Sequence, residues 1–237
     1  MDGASVYLQP AYILQHKPYR ETSLILEVFS RDHGLISVMA KGVRKSKSKT
    51  AGVLLPFSLL NLSYLDRHDL KLLVDVEFQM HHELSKLSLY CGFYVNELIQ
   101  RFLHKHDANP NLFERYQRAL VELAMFDGAD LETSLRRFEL DLLEQAGYAV
   151  LLNLDANTGS PVEAELLYSY RVDEGMVEDS QGHIQGATLI ALTQGNTLSV
   201  PEQQQQAKHL LRLMLAPHLQ GRPLKSRAVL ARVMHYL

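Results

Sequence analysis

The first 80 residues alternate between apolar and polar positions with the two-residue period of β-strands. Tyr12-Ile13-Leu14 lies in an extended opening stretch, and His16-Lys17-Pro18-Tyr19 reads as a turn. Thr22 to Phe29 is rich in β-formers, Arg31-Asp32-His33-Gly34 is a second turn, and Leu35 to Ala40 makes a third strand. A basic linker separates these from Leu59 to Leu65 and Leu70 to Phe78, which flank the polar turn Asp66-Arg67-His68-Asp69. Five short strands, with a non-strand stretch between the third and fourth, predict a small closed barrel of the OB type over residues 1–80.

From residue 81 the period becomes helical, and residues 81–237 read as a mainly α-helical domain. His81 to His106 carries Leu84, Leu87, Tyr90, Tyr94, Leu98 and Phe102 three or four apart. Asn109-Pro110 supplies an N-cap and a pre-set first helical residue for a helix bearing Phe113, Tyr116, Leu120 and Leu123. Asp130 is read as the cap of the next helix, with Leu131, Leu135, Phe138 and Leu142 as its stripe and Gly147 as its stop. Around 150–186 the pattern breaks into turn signals and the alternating stretch Leu166 to Val172, a small β excursion. Ser199 and Glu202 form a capping box opening Gln203 to Leu219, and Gly221 and Pro223 precede a basic helix from Leu224 to Leu237. The fold class is therefore α+β and multidomain.

Composition narrows the function. The single Cys91 excludes an internal disulfide and points to a reducing cytosol. No apolar run approaches the roughly 18 residues that cross a bilayer, and no signal peptide opens the chain, so a cytoplasmic location without membrane contact is expected. The net charge of -3 conceals segregation. Residues 1–80 hold 10 Lys/Arg against 8 Asp/Glu, residues 81–195 hold 8 against 18, and residues 196–237 hold 6 against 1. A uniformly basic nucleic-acid binder is excluded, but basic patches on an acidic body are not.

Enzyme signatures are missing. Neither a Gly-rich dinucleotide turn nor a Walker-type loop occurs, and His82-Glu83 is followed by Lys86 where a zincin helix needs its second His. The eleven histidines are scattered, and Cys91 sits between Tyr90 and Gly92 as a small core residue. No catalytic residue, metal or other cofactor is expected.

The basic features carry more. Lys41, Arg44, Lys45, Lys47 and Lys49 lie within nine residues without an acid, a composition suited to phosphate neutralisation through counterion release. The alternative is a solvated loop. Arg222, Lys225, Arg227 and Arg232 form a second candidate patch, with an ordinary exposed helix face as its alternative. Tyr7, Tyr12, Tyr19, Phe29 and Tyr64 offer aromatic rings to stack on bases, although most rings in a small barrel are core. Arg136 and Arg137 are suited to an acidic peptide, but ion pairs with Glu132, Glu139 or Asp141 are favoured by spacing.

Several blocks together resemble the bacterial recombination-mediator family RecO. They are Tyr19 to Leu26 with Gly34 and Ala40 to Arg44, Leu89-Tyr90 with Tyr94 to Leu98, Leu135 to Leu140 with Leu142-Leu143 and Gly147-Tyr148, and Gly221 to Arg227. They stand in order over nearly the whole chain. The resemblance implies an OB domain and a helical domain, no ATP hydrolysis, and a role in gap repair among nucleoid DNA. It also implies binding of single- and double-stranded DNA and annealing of complementary strands. The implied partners are the C-terminal tail of single-stranded DNA-binding protein and RecR, with RecA loaded onto the coated DNA. In that context Lys41 to Lys49 become the phosphate-contacting segment, and Arg136 and Arg137 the tail-binding pair. Many family members carry a four-cysteine zinc module in the β excursion; here Asp155 to Gly159 and Gly175 to Gly182 contain no cysteine, so a metal-free remnant is expected. Two further classes stay open: a protein scaffold whose barrel binds peptides, and, less well supported, a nuclease.

Overall fold

The computed structural model describes residues 4–45, 48, 50–66 and 68–235. Its strands are β1 (Ala4–Tyr19), β2 (Ser23–Ser30), β3 (Gly34–Ala40), β4 (Ser58–Asp66) and β5 (Leu70–His81). They pair in the order β1-β2-β3-β5-β4, and β4 pairs back onto β1. This is the expected OB-type barrel, with a parallel β3–β5 contact among antiparallel neighbours. Ile13, Leu26, Val28, Ile36, Val38, Leu60, Leu62 and Tyr64 fill its interior, one residue in two along each strand.

Two boundaries depart from expectation. His16 to Tyr19 is strand, not turn: Lys17 and Pro18 pair with Ile25 and Leu24, and the reversal falls on Arg20-Glu21-Thr22. Pro18 is tolerated because β1 pairs with β4 only as far as Tyr12, leaving one edge open beyond it. At the other end β5 continues to His81, which pairs with Ser58, and the His82 amide donates to the Phe57 carbonyl at 3.1 Å. The following helix α1 (Lys86–Phe102) therefore starts after His81 rather than at it. Gly34 is a true turn glycine. Its φ is +62°, and a Cβ there would stand 2.0 Å from the Asp107 carbonyl oxygen.

The chain forms two compact units, residues 1–124 with 224–237, and residues 125–223. A division at residue 81 is thus not the compact one, because α1, α2 (Pro110–Met125) and α6 (Lys225–His235) group with the barrel. The physical reason lies in outward-facing barrel residues that need cover. Tyr12 and Phe29 are fully buried, with Phe113 of α2 at 5.4 Å from each ring and Tyr116 at 5.0 Å from Tyr12. The Asn109 Oδ1 accepts from the Leu112 amide and Pro110 opens α2, as the sequence predicts.

Polar bonds fix the same docking. Leu14 sits where the β1–β2 register slips, so the ladder does not pair it. The Asn96 side chain of α1 donates to the Leu14 carbonyl at 2.9 Å and accepts from the Tyr116 hydroxyl at 2.7 Å. Tyr12 Oη lies 3.0 Å from His82 Nε2. Burial, then the neighbouring His81, holds the His82 pKa below its ordinary value.

The second unit comprises α3 (Gly128–Gln145), a three-stranded sheet of β6 (Leu167–Arg171), β7 (Gly175–Glu178) and β8 (Ile184–Gln185), then α4 (Gly186–Gln194) and α5 (Pro201–Leu215). The predicted β excursion is this sheet, in the order β7-β6-β8. Asp127, not Asp130, occupies the N-cap of α3; Asp130 lies in the first turn and accepts from the Thr197 hydroxyl. Ser199 does not cap α5 either. Val200 holds that position, and Pro201, with its preset φ, begins the helix. The apolar Leu189, Ala191 and Leu192 of the unforeseen α4 are buried.

Candidate nucleic-acid interface

The β2–β3 ladder places Leu24 opposite Ala40, and β1–β2 places Tyr19 opposite Ser23. The β1–β2 turn and the exit from β3 therefore meet at one end of the barrel. Two bonds join them. The Arg44 amide donates to the Thr22 carbonyl at 2.9 Å, and the Arg44 guanidinium to the Arg20 carbonyl at 3.2 Å. Lys17, Arg20, Lys41, Arg44 and Lys45 are all exposed there, and among the described residues none of the five forms an ion pair. Arg20 lies over the Tyr19 ring at 5.3 Å, a pairing that keeps both outward. Glu21 is the one acid in the turn. Because Val43 is 6% exposed and packs into the barrel core, the loop is anchored between its cations rather than hanging free.

Of the cations singled out from the sequence, Lys41, Arg44 and Lys45 stand in this cluster, while Lys47 and Lys49 lie outside the described residues. Lys17 and Arg20 join the cluster only because β1 runs on to Tyr19 and the reversal falls at Arg20; the tip of the β1–β2 hairpin is the signal that finds them. Tyr12, Phe29 and Tyr64 are core, whereas Tyr7 is 73% exposed.

The C-terminal candidates behave differently. Arg222 is exposed in the second unit. The Lys225 and Ser226 amides, at 3.0 and 2.8 Å, and the Ser226 hydroxyl, at 2.6 Å, all donate to the Glu97 carboxylate of α1. Burial pushes the Glu97 pKa up, but these bonds outweigh it and hold the carboxyl below its ordinary value. The first turn of α6 thus already has its anion. The Arg227 guanidinium rests on the Tyr94 ring at 5.6 Å and donates to its hydroxyl at 3.2 Å, so Arg227 helps to dock α6 on α1. Lys225, Arg222 and Arg232 remain exposed.

Arg136 is held inside its own helix. It is 5% exposed, with Nη1 at 2.7 Å from Glu139 and Nε at 3.5 Å from Glu132. The ion pairs favoured by helix spacing are formed, and the guanidinium is not offered to a peptide. Arg137 is half-buried and donates to the Gly195 carbonyl at 2.8 Å.

In the cysteine-free excursion, one carboxylate gathers the backbone. Asp155 Oδ1 accepts from the Asn157 and Thr158 amides and the Thr158 hydroxyl, and Oδ2 accepts from the Glu178 amide of β7. These donors, the Glu178 amide foremost, hold its pKa below the ordinary aspartate value. No thiolate is available there, and among the described residues no group of three or more His, Cys, Asp or Glu is placed to hold a metal. The stabilisation from a depressed carboxylate is complete above its unfolded pKa and is lost as pH falls through the lower folded one. Asp155→Asn should therefore remove an acid-dependent step, seen below about pH 4, from the unfolding of this unit. It should also destabilise the unit at neutral pH, since an amide NH2 cannot accept from the backbone amides. Thermal melts across pH that match the wild type would refute this.

Comparison with known proteins matches residues 4–81 to the family described as Recombination protein O N terminal, and residues 87–228 to Recombination protein O C terminal. Curated relatives include a DNA repair protein RecO of Methylococcus capsulatus, 44% identical over 229 residues, covering 95% of this chain and 93% of the relative. The DNA repair protein RecO of Aromatoleum aromaticum is 40% identical over 228 residues, covering 94% of each. That of Vibrio cholerae is 41% identical over 224 residues, covering 93% and 92%.

Proposed function

As the chain belongs to the RecO family of DNA repair and recombination proteins, we propose that it is a recombination mediator that binds DNA by charge and anneals complementary strands without a covalent step. The observation that carries this is the meeting of Lys17, Arg20, Lys41, Arg44 and Lys45 at one barrel end, none paired with an acid among the described residues. Five cations facing water attract a polyanion, and each phosphate they neutralise releases condensed counterions. Phosphate contacts leave base edges unread, so a strand held there stays able to pair with its complement. Lys225, in the barrel's unit, and Arg222, in the second, are further exposed cations.

The C-terminal tail of single-stranded DNA-binding protein is assigned to Arg137 in preference to the buried Arg136. RecR is the partner with which RecA would be loaded, among nucleoid DNA in the cytoplasm. Tethering to the coated strand raises the local concentration of mediator at gaps. Titration of a labelled thymidylate oligonucleotide across salt tests the core of this reading. Log affinity should fall linearly with log salt at a slope of about -3, near 0.7 per neutralised phosphate for four or five contacts. Annealing of complementary oligonucleotides should accelerate under the same conditions. Absence of binding in dilute buffer would leave a protein scaffold as the better description.

A further inference from the structure

The second unit carries a cleft of about 590 Å³ lined wholly by its own residues. Three local devices build its walls. α3 ends in a Schellman motif: the Tyr148 amide donates to the Leu143 carbonyl at 2.8 Å and the Gly147 amide to the Glu144 carbonyl at 3.1 Å. This sets Tyr148 just past the helix. The 3₁₀ turn Ala216–Leu219 after α5 brings His218 against it, ring on ring, with centroids 3.7 Å apart and planes at 19°. Arg171 of β6 pairs with Gly175 of β7, so the tight turn between them presents Asp173.

The charge of this cleft is one-sided. Its lining includes the carboxylates of Asp155, Asp173 and Glu174 and, among the described residues, no lysine or arginine. Asp155 is taken by backbone amides, and Glu174 meets Arg171 at 3.3 Å in an exposed pair. Asp173 is exposed and pairs with no lysine or arginine among the described residues. Its charge is felt by two of the lining rings. Burial, then Asp173, raises the Tyr170 pKa; burial lowers that of His218, against the opposing pull of Asp173. The imidazole is thus mainly neutral near pH 7 and puts little positive charge into the stack. The unit as a whole holds 14 Asp/Glu against 6 Lys/Arg, so it repels a polyanion and draws in a cation. Tyr148 is 44% and Leu151 68% exposed, leaving apolar surface for the chain on either side of that cation.

We infer that this cleft docks an arginine of a partner protein, with the guanidinium lying on the Tyr148 ring and paired with Asp173. A guanidinium meets both demands: its plane stacks on an aromatic ring, and its fork of N–H donors matches a carboxylate. The compact ammonium of lysine stacks less well and lacks the fork. NMR titration of the full chain with acetyl-Leu-Arg-Leu-amide tests this, following the backbone amides of Tyr148, Asp173 and Gly175. Saturable shifts of all three are expected. Citrulline in place of the arginine keeps its shape, removes its charge and should weaken binding about tenfold; lysine should weaken it about threefold. Asp173→Asn should match the citrulline effect, and its turn should survive because asparagine tolerates the left-handed φ of +65° at this position. Tyr148→Leu should cost about threefold. Absence of saturable shifts, equal binding of the arginine and citrulline peptides, or undiminished affinity in Asp173→Asn would overturn the assignment. Oligothymidylate shifting the same three amides would give the cleft to nucleic acid and overturn it equally.

Discussion

Replacing Lys41, Arg44 and Lys45 together by alanine should lower affinity for single-stranded DNA about a hundredfold at 0.1 M salt. The estimate follows from counterion release: three lost phosphate contacts at about 0.7 each remove some two units of log-log salt slope. At 0.1 M, two units of slope correspond to a factor of about one hundred. Thermal stability should change little, since all three side chains are exposed and Arg44 loses one surface bond, to the Arg20 carbonyl. This change should weaken single-stranded and duplex binding alike. A folded variant with undiminished slope and affinity would show that the barrel end is not where phosphates are held. Extending the set to Lys17 and Arg20 should steepen the loss.

The largest effect on stability is expected at Asn96. Its amide is the side-chain partner of the bulged Leu14 carbonyl and an acceptor for the Tyr116 hydroxyl, all in a buried environment where Asn96 is 2% exposed. Asn96→Ala removes both bonds at once and leaves a cavity. Loss of a buried partner costs about 1–3 kcal/mol for each group stranded, so a fall of about 3–5 kcal/mol is expected in urea unfolding. Tyr116→Phe alone removes one bond and should cost about 1–2 kcal/mol. The double variant Asn96→Leu with Tyr116→Phe should recover part of the loss, because two apolar groups strand fewer polar atoms than one. Additive losses in the double variant would mean that the two side chains do not act as a pair. A depressed His82 pKa predicts no compensating contribution from an imidazolium at that junction above neutral pH.

Most of the architecture was legible along the chain, and the reasons are local. Strands β2 to β4 announced themselves through two-residue alternation and turn residues, and α2 through its cap pair Asn109-Pro110, because those signals need only neighbours in sequence. The family was legible too, since the blocks that carry the resemblance are short linear segments. Interactions between distant segments were not. The sequence could mark Lys41, Arg44 and Lys45 as cations, but only the hairpin pairing of β1 with β2 brings Arg20 against Arg44. Likewise only the folded chain sets the Arg227 guanidinium on the Tyr94 ring, 133 residues away.

The sequence by itself determined an OB-type barrel followed by helices, an acidic body with cationic segments, and membership in a recombination family. The tertiary structure alone decided which charges face water, that β1 runs on to Tyr19, and that α1, α2 and α6 group with the barrel in one compact unit. The division has a physical origin. Hydrogen-bond ladders and amphipathic periods are written in residues two to four apart, whereas desolvation and ion pairing depend on neighbours tens of residues away, which only the folded chain supplies.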